Sequence, residues 1–419
     1  MIVQTVTAYF DNAATTPTDP RVKEEMQPFL DSIFGNPSSL HRQGRLAREA
    51  VDIARGQVAA LVQAASDEIV FTASGTEASN LALTGLVQAN ASRPVHIITS
   101  RIEHPAVMAT CAALERRGAF ITRLPASRDG LIDPADLAAA LRPDTKLVSI
   151  MTANNIVGTL QPIAELGRIA RSAGILFHTD AVQAGGKFPM DLRSLPVDLL
   201  SLSAHKLYGP KGVGALYVRK GTRISPVIHG GGQERGLRSA TENVAGIVGF
   251  GCAAEIARSS MAGETVRLVA LQDRLIEGLC SGQLPAYLIG HRYKRLPGHI
   301  CLGVAGMEGE AMHLLLELDA QGIAVSSGSA CSSHHLDAPS ETLLAMGFDP
   351  VRARGSLRIT LGRFNTADEV ERLLEIFTKI LRKLRPISSR AAGPPAELPA
   401  AEGGGLQKSA SPSAFKKHF

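Results

Sequence analysis

Two segments of the sequence end buried strand patterns with a group that can do chemistry. Asp180 closes the strand pattern in ILFHTDAVQAGG, and Lys206 lies in DLLSLSAHKLYGPKG. Since α/β sheets carry reactive groups at strand ends, the carboxylate and the amine are expected at one edge of a sheet. An aspartate that keeps a pyridine nitrogen protonated, beside a lysine that binds an aldehyde, is the pair a pyridine cofactor needs. Taken singly, Asp180 is also explained as a helix cap and Lys206 as a solvated loop residue.

Two further segments place polar groups after strand patterns. ASGTEASN opens a helix pattern, so the backbone amides and helix dipole near Gly75 and Thr76 favour an anion. An ordinary capped helix start has the same signature. His104, in SRIEHPAVM, is either a structural histidine or an acid–base group that titrates near neutrality.

One of the five cysteines differs from the others in its surroundings. The four that fall in apolar patterns typical of inert core thiols are Cys111, Cys252, Cys280 and Cys301. Cys331 lies in AVSSGSACSSHHLDAPSETLLAMG, where small and polar neighbours predict a mobile loop. The adjacent His334 and His335 raise a metal-binding alternative, but two histidines on a solvated loop need no metal, and we predict none.

Composition narrows the class of protein. The chain has 419 residues and 45% apolar content, enough for a large core in two or three domains. Its net charge of +5 is modest, and no dense Lys/Arg cluster precedes the C-terminal tail, which argues against a nucleic-acid partner. No leader pattern and no run of about 18 apolar residues occurs, which argues against export and membrane insertion. Widely spaced cysteines, odd in number, favour a cytoplasmic setting.

The elements that must position these groups follow an α/β pattern. Between residues 67 and 218, short β-branched runs alternate with amphipathic ones, which predicts a mostly parallel sheet whose strands are buried on both faces. The predicted strands are 69–71, 96–99, 120–123, 147–151, 175–178, 199–201 and 215–218. The predicted helices between them are 77–88, 106–117, 135–141 and 163–173.

After residue 225 the pattern changes to that of a second domain. HGGGQERG precedes predicted helices at 244–259 and 265–279, strands at 299–304 and 357–361, and a last helix at 367–384. The remaining Pro-, Gly- and Ala-rich stretch is predicted to be disordered. The predicted organisation is an N-terminal segment 1–20 packing with the small domain, a large domain 21–262, a small domain 263–387 containing the Cys331 loop (about 325–340), and a tail 388–419.

Eight segments, in order, resemble the motifs of the cysteine desulfurase family. They are FDNAATTP, ASGTEASN, EHPAV, HTDAVQ, SAHKLYGPKG, GGGQERGLRSATEN, SSGSACSS and LRITLGRF, spread over roughly residues 9 to 385. The resemblance implies a pyridoxal-phosphate-dependent transferase of fold type I, with a mostly parallel central sheet in the large domain and a smaller α+β domain. The implied reaction converts L-cysteine to L-alanine and leaves the sulfur on an enzyme cysteine as a persulfide.

The same resemblance implies the role of each residue. Lys206 holds the cofactor and moves the substrate α-proton, Cys331 accepts the sulfur, and His104 stacks on the cofactor ring as acid or base. The implied cofactor-binding residues are Gly75, Thr76, Asn155, Asp180, Gln183, Ser203, His205 and, from the neighbouring subunit of a homodimer, Thr241. Arg358 and Asn155 are implied to bind the substrate. The implied protein partner is a sulfur acceptor or iron–sulfur scaffold.

Two departures and two alternatives accompany this resemblance. Ile156 stands where the family usually has glutamate, and Ala240 stands where glycine is usual before Thr241. Another enzyme of the same fold, such as a selenocysteine lyase or an aminotransferase, would keep Lys206 and Asp180 without needing a mobile cysteine. A catalytically silent scaffold or regulator is the other alternative, and the intact reactive residues argue against it.

Overall fold

The structure is a computed structural model that describes residues 8–328 and 338–388. The strands are β1 (Ala8–Tyr9), β2 (Ile69–Thr72), β3 (His96–Ser100), β4 (Phe120–Leu124), β5 (Thr145–Ser149), β6 (Leu176–Asp180), β7 (Leu199–Ser203), β8 (Gly214–Val218), β9 (Ala286–Ile289), β10 (His299–Val304), β11 (Ile323–Ala324), β12 (Ser326–Ser327) and β13 (Leu357–Thr360). The helices are α1 (Pro20–Asp31), α2 (Arg42–Leu61), α3 (Gly75–Ala89), α4 (Pro105–Glu115), α5 (Pro134–Ala140), α6 (Ile163–Ser172), α7 (Val244–Cys280), α8 (Ala311–Asp319), α9 (Glu341–Ala345), α10 (Pro350–Arg354) and α11 (Ala367–Ser388).

A seven-stranded sheet in the order β2-β8-β7-β6-β5-β3-β4 forms the centre of the large domain. Strand β8 runs antiparallel to its neighbours β2 and β7, and the other pairs are parallel. The prediction of an α/β fold with a mostly parallel sheet is therefore confirmed. Each predicted strand of this region is present, with β5 beginning two residues earlier than its pattern suggested.

Apolar side chains project from both faces of the sheet, as expected for strands with an uninterrupted hydrophobic pattern. Leu199 packs with α3 and α4 on one face, whereas Leu200 packs with α2, α6 and α7 on the other. The prediction of full burial is wrong for β4, where Phe120 is 50% exposed. In this sheet β4 pairs only with β3, so it lies at an edge and one side of it meets solvent.

The second domain contains a four-stranded antiparallel sheet in the order β12-β13-β10-β9. Its apolar face packs against α8, α11 and the C-terminal half of α7. The N-terminal strand β1 pairs with β11, and Phe10 lies in the same apolar cluster. The N-terminal segment therefore crosses from this cluster to the edge of the large sheet.

Helix α7 is a single helix of 37 residues where the sequence predicted two. The prediction was wrong because Gly263 interrupts the apolar periodicity at a point where a Cβ would meet nothing within 4 Å. A glycine in a helix costs only about 1 kcal/mol, and each half of α7 is anchored in a different core, through Phe250 at one end and Leu275 at the other. The position 262/263, predicted as a domain boundary, lies inside this helix.

The glycine-rich loop before α7 is tied to the large sheet by one buried ion pair. The Glu234 carboxylate accepts two hydrogen bonds from Arg55, at 2.7 and 2.8 Å, and one from the amide of Phe71, at 2.7 Å. The Arg55 guanidinium also lies 4.7 Å from the centre of the Phe71 ring. Glu234 and Arg235 adopt left-handed backbone angles, with φ of 48° and 57°, which this pairing must stabilise.

We expect Glu234→Ala to lower the free energy of unfolding by about 3–5 kcal/mol, because it leaves the Arg55 charge largely buried without its partner. Urea denaturation followed by circular dichroism measures the change. As a control, Glu375→Ala removes an exposed ion pair on α11 and should leave the denaturation midpoint unchanged. Equal midpoints for both variants would contradict the assignment of Glu234 as the anchor of this loop.

Candidate active site

The carboxyl ends of β6 and β7 bring the two reactive groups of the sequence together. These strands are adjacent and parallel, with Asp180 in register with Ser201. Asp180 is the last residue of β6, and Lys206 ends a single 3-10 turn that follows β7 directly. The two groups therefore lie at one edge of the sheet, as the sequence predicted.

Asp180 is buried, and its carboxyl interacts electrostatically with His104 and Lys206. Its Oδ1 accepts a hydrogen bond from the amide of Val182 at 2.9 Å. The residues that follow β6 form turns and not a helix, so the simpler explanation of Asp180 as a helix cap is wrong. Burial raises the pKa of the carboxyl, whereas His104 and Lys206 both act to lower it. A hydrogen bond within the turn and electrostatic pairing therefore coexist in one residue.

The N-terminal segment 11–16 forms one wall of the site. The Lys206 amino group donates to the carbonyl oxygens of Ala13 and Ala14, at 2.6 and 2.7 Å. Gln183 Nε2 donates to the same Ala13 oxygen at 3.0 Å, and His205 Nδ1 lies 3.1 Å from Thr15 Oγ1. The sequence singled out FDNAATTP as a motif but assigned it no function, so this wall was missed.

Three chain segments converge at the N-terminus of α3. An added Cβ on Gly75 would lie 2.5 Å from Val182 Cγ2 and 3.3 Å from Ser203 Cβ, so Gly75 touches the ends of both β6 and β7. Ser74 caps the helix by accepting from the amide of Glu77 at 3.1 Å. In the described part of the chain, the amides of Gly75 and Thr76 donate to no other residue, which leaves them available to an anion.

The surroundings of His205 are positively charged, which bears on this anion site. Burial, together with the positive charges of Lys206, Lys211 and Lys187, lowers the pKa of its ring to about 4. The ring is therefore neutral at physiological pH. A cluster of cationic groups around it favours a bound anion such as a phosphate.

His104 is the N-cap of α4, so it has the structural role that the sequence offered as one of its two explanations. Its Nδ1 accepts from the amide of Ala106 at 3.1 Å. A ring nitrogen that accepts from a backbone amide carries no proton, so the neutral ring is protonated at Nε2. Nε2 is then the atom that can exchange a proton with a bound molecule, close to Asp180.

Arg358 is a buried strand arginine, 2% exposed, and not a surface one. Its Nη1 donates to the Asn155 carbonyl at 3.0 Å and its Nη2 pairs with Asp11 Oδ1 at 2.9 Å. Nε of Arg358 and Oε1 of Gln183 are buried and have no hydrogen-bond partner among the described residues. Unsatisfied buried polar atoms mark a place where a polar ligand would bind.

These observations show that the site fits pyridoxal phosphate. A lysine and a buried carboxylate occupy adjacent strand ends, and free helix amides in cationic surroundings lie beside them. Two unsatisfied polar atoms, Gln183 Oε1 and Arg358 Nε, lie on residues predicted to contact the cofactor or the substrate. The donor set suits a phosphorylated pyridine aldehyde.

Some predicted residues are not brought to this edge. Thr241 lies on an exposed loop and, within the described chain, makes no hydrogen bond to the other predicted site residues.

Cys331, His334 and His335 lie outside the described residues, so the structure neither supports nor opposes their roles. Ile156 is only 3% exposed and belongs to the large apolar cluster, which explains why an apolar side chain is accommodated there.

Two groups near the site were missed in the sequence. Burial and the charges of Lys206 and Arg358 lower the pKa of Lys187 to about 7. Glu103 is buried and lies next to His104 in the chain. The EHPAV motif contained Glu103, but a buried acid cannot be told from a solvated one by its neighbours in sequence.

Across residues 8–328 and 338–388, no three His, Cys, Asp or Glu side chains are grouped so that they would hold a metal ion. None of the helices in those ranges is long and apolar enough to cross a membrane.

Comparison with known proteins gives consistent relatives over nearly the whole chain. The aminotransferase class-V family matches residues 8–373. A curated relative from Dictyoglomus turgidum, "Cysteine desulfurase IscS", is 50% identical over 380 residues, which are 91% of this chain and 96% of the relative.

Solved structures agree with these relatives. A "NifS-like protein" superposes with a TM-score of 0.84 at 40% identity, covering 90% of this chain and all of the other. A structure titled "SspA in complex with cysteine" superposes with a TM-score of 0.75 at 35% identity, covering 86% of this chain and all of the other. The predicted pyridoxal-phosphate fold type I is confirmed.

We expect Gly75→Ala to weaken pyridoxal phosphate binding roughly ten- to hundredfold, because the new methyl group clashes with Val182 and crowds Ser203, which shifts the start of α3 at a cost of about 1–3 kcal/mol. Titration of cofactor-free protein, followed by absorbance, measures the Kd. Gly56→Ala on α2 is a matched control, since a Cβ there meets nothing within 4 Å. If both variants bound the cofactor equally well, the anion site would not lie at the start of α3.

Proposed function

The chain belongs to the cysteine desulfurase family of class-V aminotransferases, and we propose that the edge formed by β6 and β7 is its active site. The enzyme depends on pyridoxal phosphate. It converts L-cysteine to L-alanine and transfers the sulfur to a cysteine of its own, an activity that supplies iron–sulfur cluster biosynthesis. The observation that carries the assignment of the site is the pair Lys206 and Asp180 at adjacent parallel strand ends, with His104 acting electrostatically on the same carboxyl.

The residues around this pair would hold the cofactor. Lys206 binds its aldehyde, Asp180 keeps its ring nitrogen protonated, and the amides of Gly75 and Thr76 bind its phosphate with Ser203 and His205. Asn155 and Gln183 hydrogen-bond its phenolic oxygen. When bound, pyridoxal phosphate supplies an electron sink for the negative charge left when the substrate loses its α-proton. The free helix amides and the unsatisfied Gln183 oxygen support these roles.

Arg358 and Asn155 would orient the substrate. A guanidinium matches a carboxylate in shape and charge, and the buried, unsatisfied Nε of Arg358 supports a role in binding the carboxylate of L-cysteine. Asp11 already pairs with Nη2, so it holds the guanidinium in a set orientation. This pairing reduces the freedom that Arg358 would lose on binding substrate.

Lys206 and His104 would move the protons. The Lys206 amine takes the α-proton of the substrate and later returns a proton to carbon. His104, whose Nδ1 is occupied by the Ala106 amide, uses Nε2 to exchange a proton with the substrate thiol. The two proton transfers are therefore assigned to different nitrogen atoms: the Lys206 amine serves the substrate carbon, and His104 Nε2 serves the substrate thiol.

Cys331 would accept the sulfur. Its thiolate attacks the substrate sulfur, so that an S–S bond forms as the C–S bond of the substrate breaks. The electron pair of that bond remains on carbon, which is protonated to give alanine. The balance is one cysteine and one enzyme thiol giving one alanine and one enzyme persulfide. A sulfur-acceptor or iron–sulfur scaffold protein then takes the sulfur.

The assembly and setting of the enzyme are part of the proposal. We propose a homodimer in which Thr241 reaches the phosphate of the partner's site, because Thr241 is exposed in the single chain. Large apolar side chains at the end of α1 and in the segment after it are also exposed, Leu30 by 62%, Phe34 by 75% and Leu40 by 89%, which supports a covering subunit. Free thiols at the four described cysteines support a reducing, cytoplasmic compartment.

We also propose a large domain of residues 21–262 and a small domain of residues 263–387, with α7 crossing the boundary between them.

Cys331→Ala should abolish alanine formation from L-cysteine while leaving the cofactor absorption band in place, because the substrate sulfur then has no acceptor. Lys206→Ala should instead lose both the covalent cofactor band and activity. Alanine is quantified by chromatography, and absorbance spectra follow the cofactor. Unchanged alanine release by the Cys331 variant would refute its role and favour a lyase or aminotransferase of the same fold.

Thr241→Ala should weaken cofactor binding roughly ten- to hundredfold, since a hydrogen bond to a charged group is worth about 1.5–3 kcal/mol. Co-expression with Lys206→Ala should then recover activity, because one site of the hybrid dimer combines an intact Lys206 with the other subunit's intact Thr241. Purification through two different affinity tags isolates the hybrid. A hybrid no more active than the Thr241 variant alone would place Thr241 in its own subunit's site.

A further inference from the structure

Two turns of the chain carry proposed site residues, and a side chain from each turn hydrogen-bonds to the backbone of the other. We call residues 100–104, at the end of β3, the histidine corner, and residues 150–157, after β5, the asparagine corner. Glu103 of the first accepts from the amide of Met151 in the second, at 3.0 Å. Asn154 of the second donates from Nδ2 to the carbonyl of Ile102 in the first, at 2.8 Å. Each corner therefore holds the backbone of the other.

These contacts directly precede the groups that face the site. Glu103 is followed by His104, and Asn154 is followed by Asn155. Asn154 Oδ1 also accepts from the amides of Ile156 and Val157, both at 2.9 Å, so its side chain shapes the turn around Asn155. A shift of either corner would move both His104 and Asn155.

The Glu103 carboxyl is placed where a negative charge is poorly tolerated. It is 5% exposed, and Oε1 takes both of its hydrogen bonds, from Met151 and from Ser100 Oγ at 2.6 Å. Oε2 is buried without a hydrogen-bond partner among the described residues. A lone ionised oxygen in that position would lose its hydration with nothing in return.

The charged groups that face Glu103 do not compensate an ionised form. Asp180, at the end of β6, repels it, and burial together with this repulsion raises the pKa of Glu103 to about 8. Cys111 on α4 is the other titratable neighbour, and burial, with Glu103 adding to it, raises the pKa of that thiol to about 12. The charge of Lys206 and the electrostatic effect of His104 act on Asp180. Of two nearby buried carboxyls, Asp180 is thus the one supported as an anion.

We propose that Glu103 is a positioning residue that works as a neutral acid: with Asn154 it clasps the two corners, and its retained proton prevents a second negative charge beside Asp180. The inference rests on the roles proposed above for His104 and Asn155. Glu103 itself touches neither substrate nor cofactor in this scheme. It acts through the residues that follow each corner.

The proposal has a defined pH dependence. An acid whose pKa is higher in the folded protein than in the unfolded chain makes the folded state hold an extra proton, so stability falls as pH rises between the two values. For Glu103 that window runs from about 4.5 to about 8. A glutamine at this position keeps the neutral shape and has no proton to lose, so it removes that decline.

The first test uses the full chain without cofactor, so that it is independent of catalysis. Thermal unfolding is measured from pH 5 to pH 8 for the wild type and for Glu103→Gln. The melting temperature of the variant should rise relative to wild type as pH increases through the window. Glu115→Gln, on α4 and paired with Arg123, is the matched control and should show no such relative gain. A constant difference between Glu103→Gln and wild type would mean that Glu103 is already ionised.

The second test uses the cofactor-loaded enzyme. Glu103→Ala should lower kcat roughly 10- to 100-fold, because displacement of catalytic groups by a fraction of an ångström to an ångström has effects of that size. Glu103→Gln should recover most of that loss. In this variant, the decline of kcat and of the cofactor absorbance at alkaline pH should begin at a higher pH than in the wild type. A glutamine variant as defective as alanine would show that the charge is used and overturn the proposal. Failure of the wild type to form alanine would reject the proposed function instead, while the first test would still decide the state of Glu103.

Discussion

Burial of Asp180 at the carboxyl end of β6 is the constraint on which the rest of the site depends. A carboxylate without water needs donors and positive charges around it. The Val182 amide, the His104 ring and the charge of Lys206 meet this need from three different chain segments. The parallel pairing of β6 with β7 then determines that the lysine arrives on the neighbouring strand and not elsewhere in the fold.

The N-terminal segment joins this edge to the second domain. Ala13 accepts hydrogen bonds from Lys206 and Gln183, while Asp11, two residues earlier, holds Arg358 of β13. The same segment begins in the small-domain cluster, through the pairing of β1 with β11. A short stretch of chain therefore sets the distance between the residues proposed to bind cofactor and those proposed to bind substrate.

Much of this arrangement was predictable because it depends on local patterns. Apolar strands followed by Asp180 or Lys206, and a capped helix at Gly75, leave signatures that survive without any knowledge of packing. The errors had tertiary causes. Helix α7 continues through Gly263 because both halves are anchored in different cores, and β4 is exposed because a sheet must have an edge. Glu103, Lys187 and Asp11 were missed because their importance comes from neighbours distant in the chain.

The sequence by itself determined the class of fold, through periodicity, and the cofactor, through ordered motifs that resemble one family. It also predicted which groups react. Only the tertiary structure decided how those groups are charged and oriented. Charge states depend on desolvation and on neighbours within a few ångströms, and these are set by packing. Thus the neutral ring of His205, the free Nε2 of His104 and the unpartnered oxygen of Glu103 become visible only when the strands are assembled.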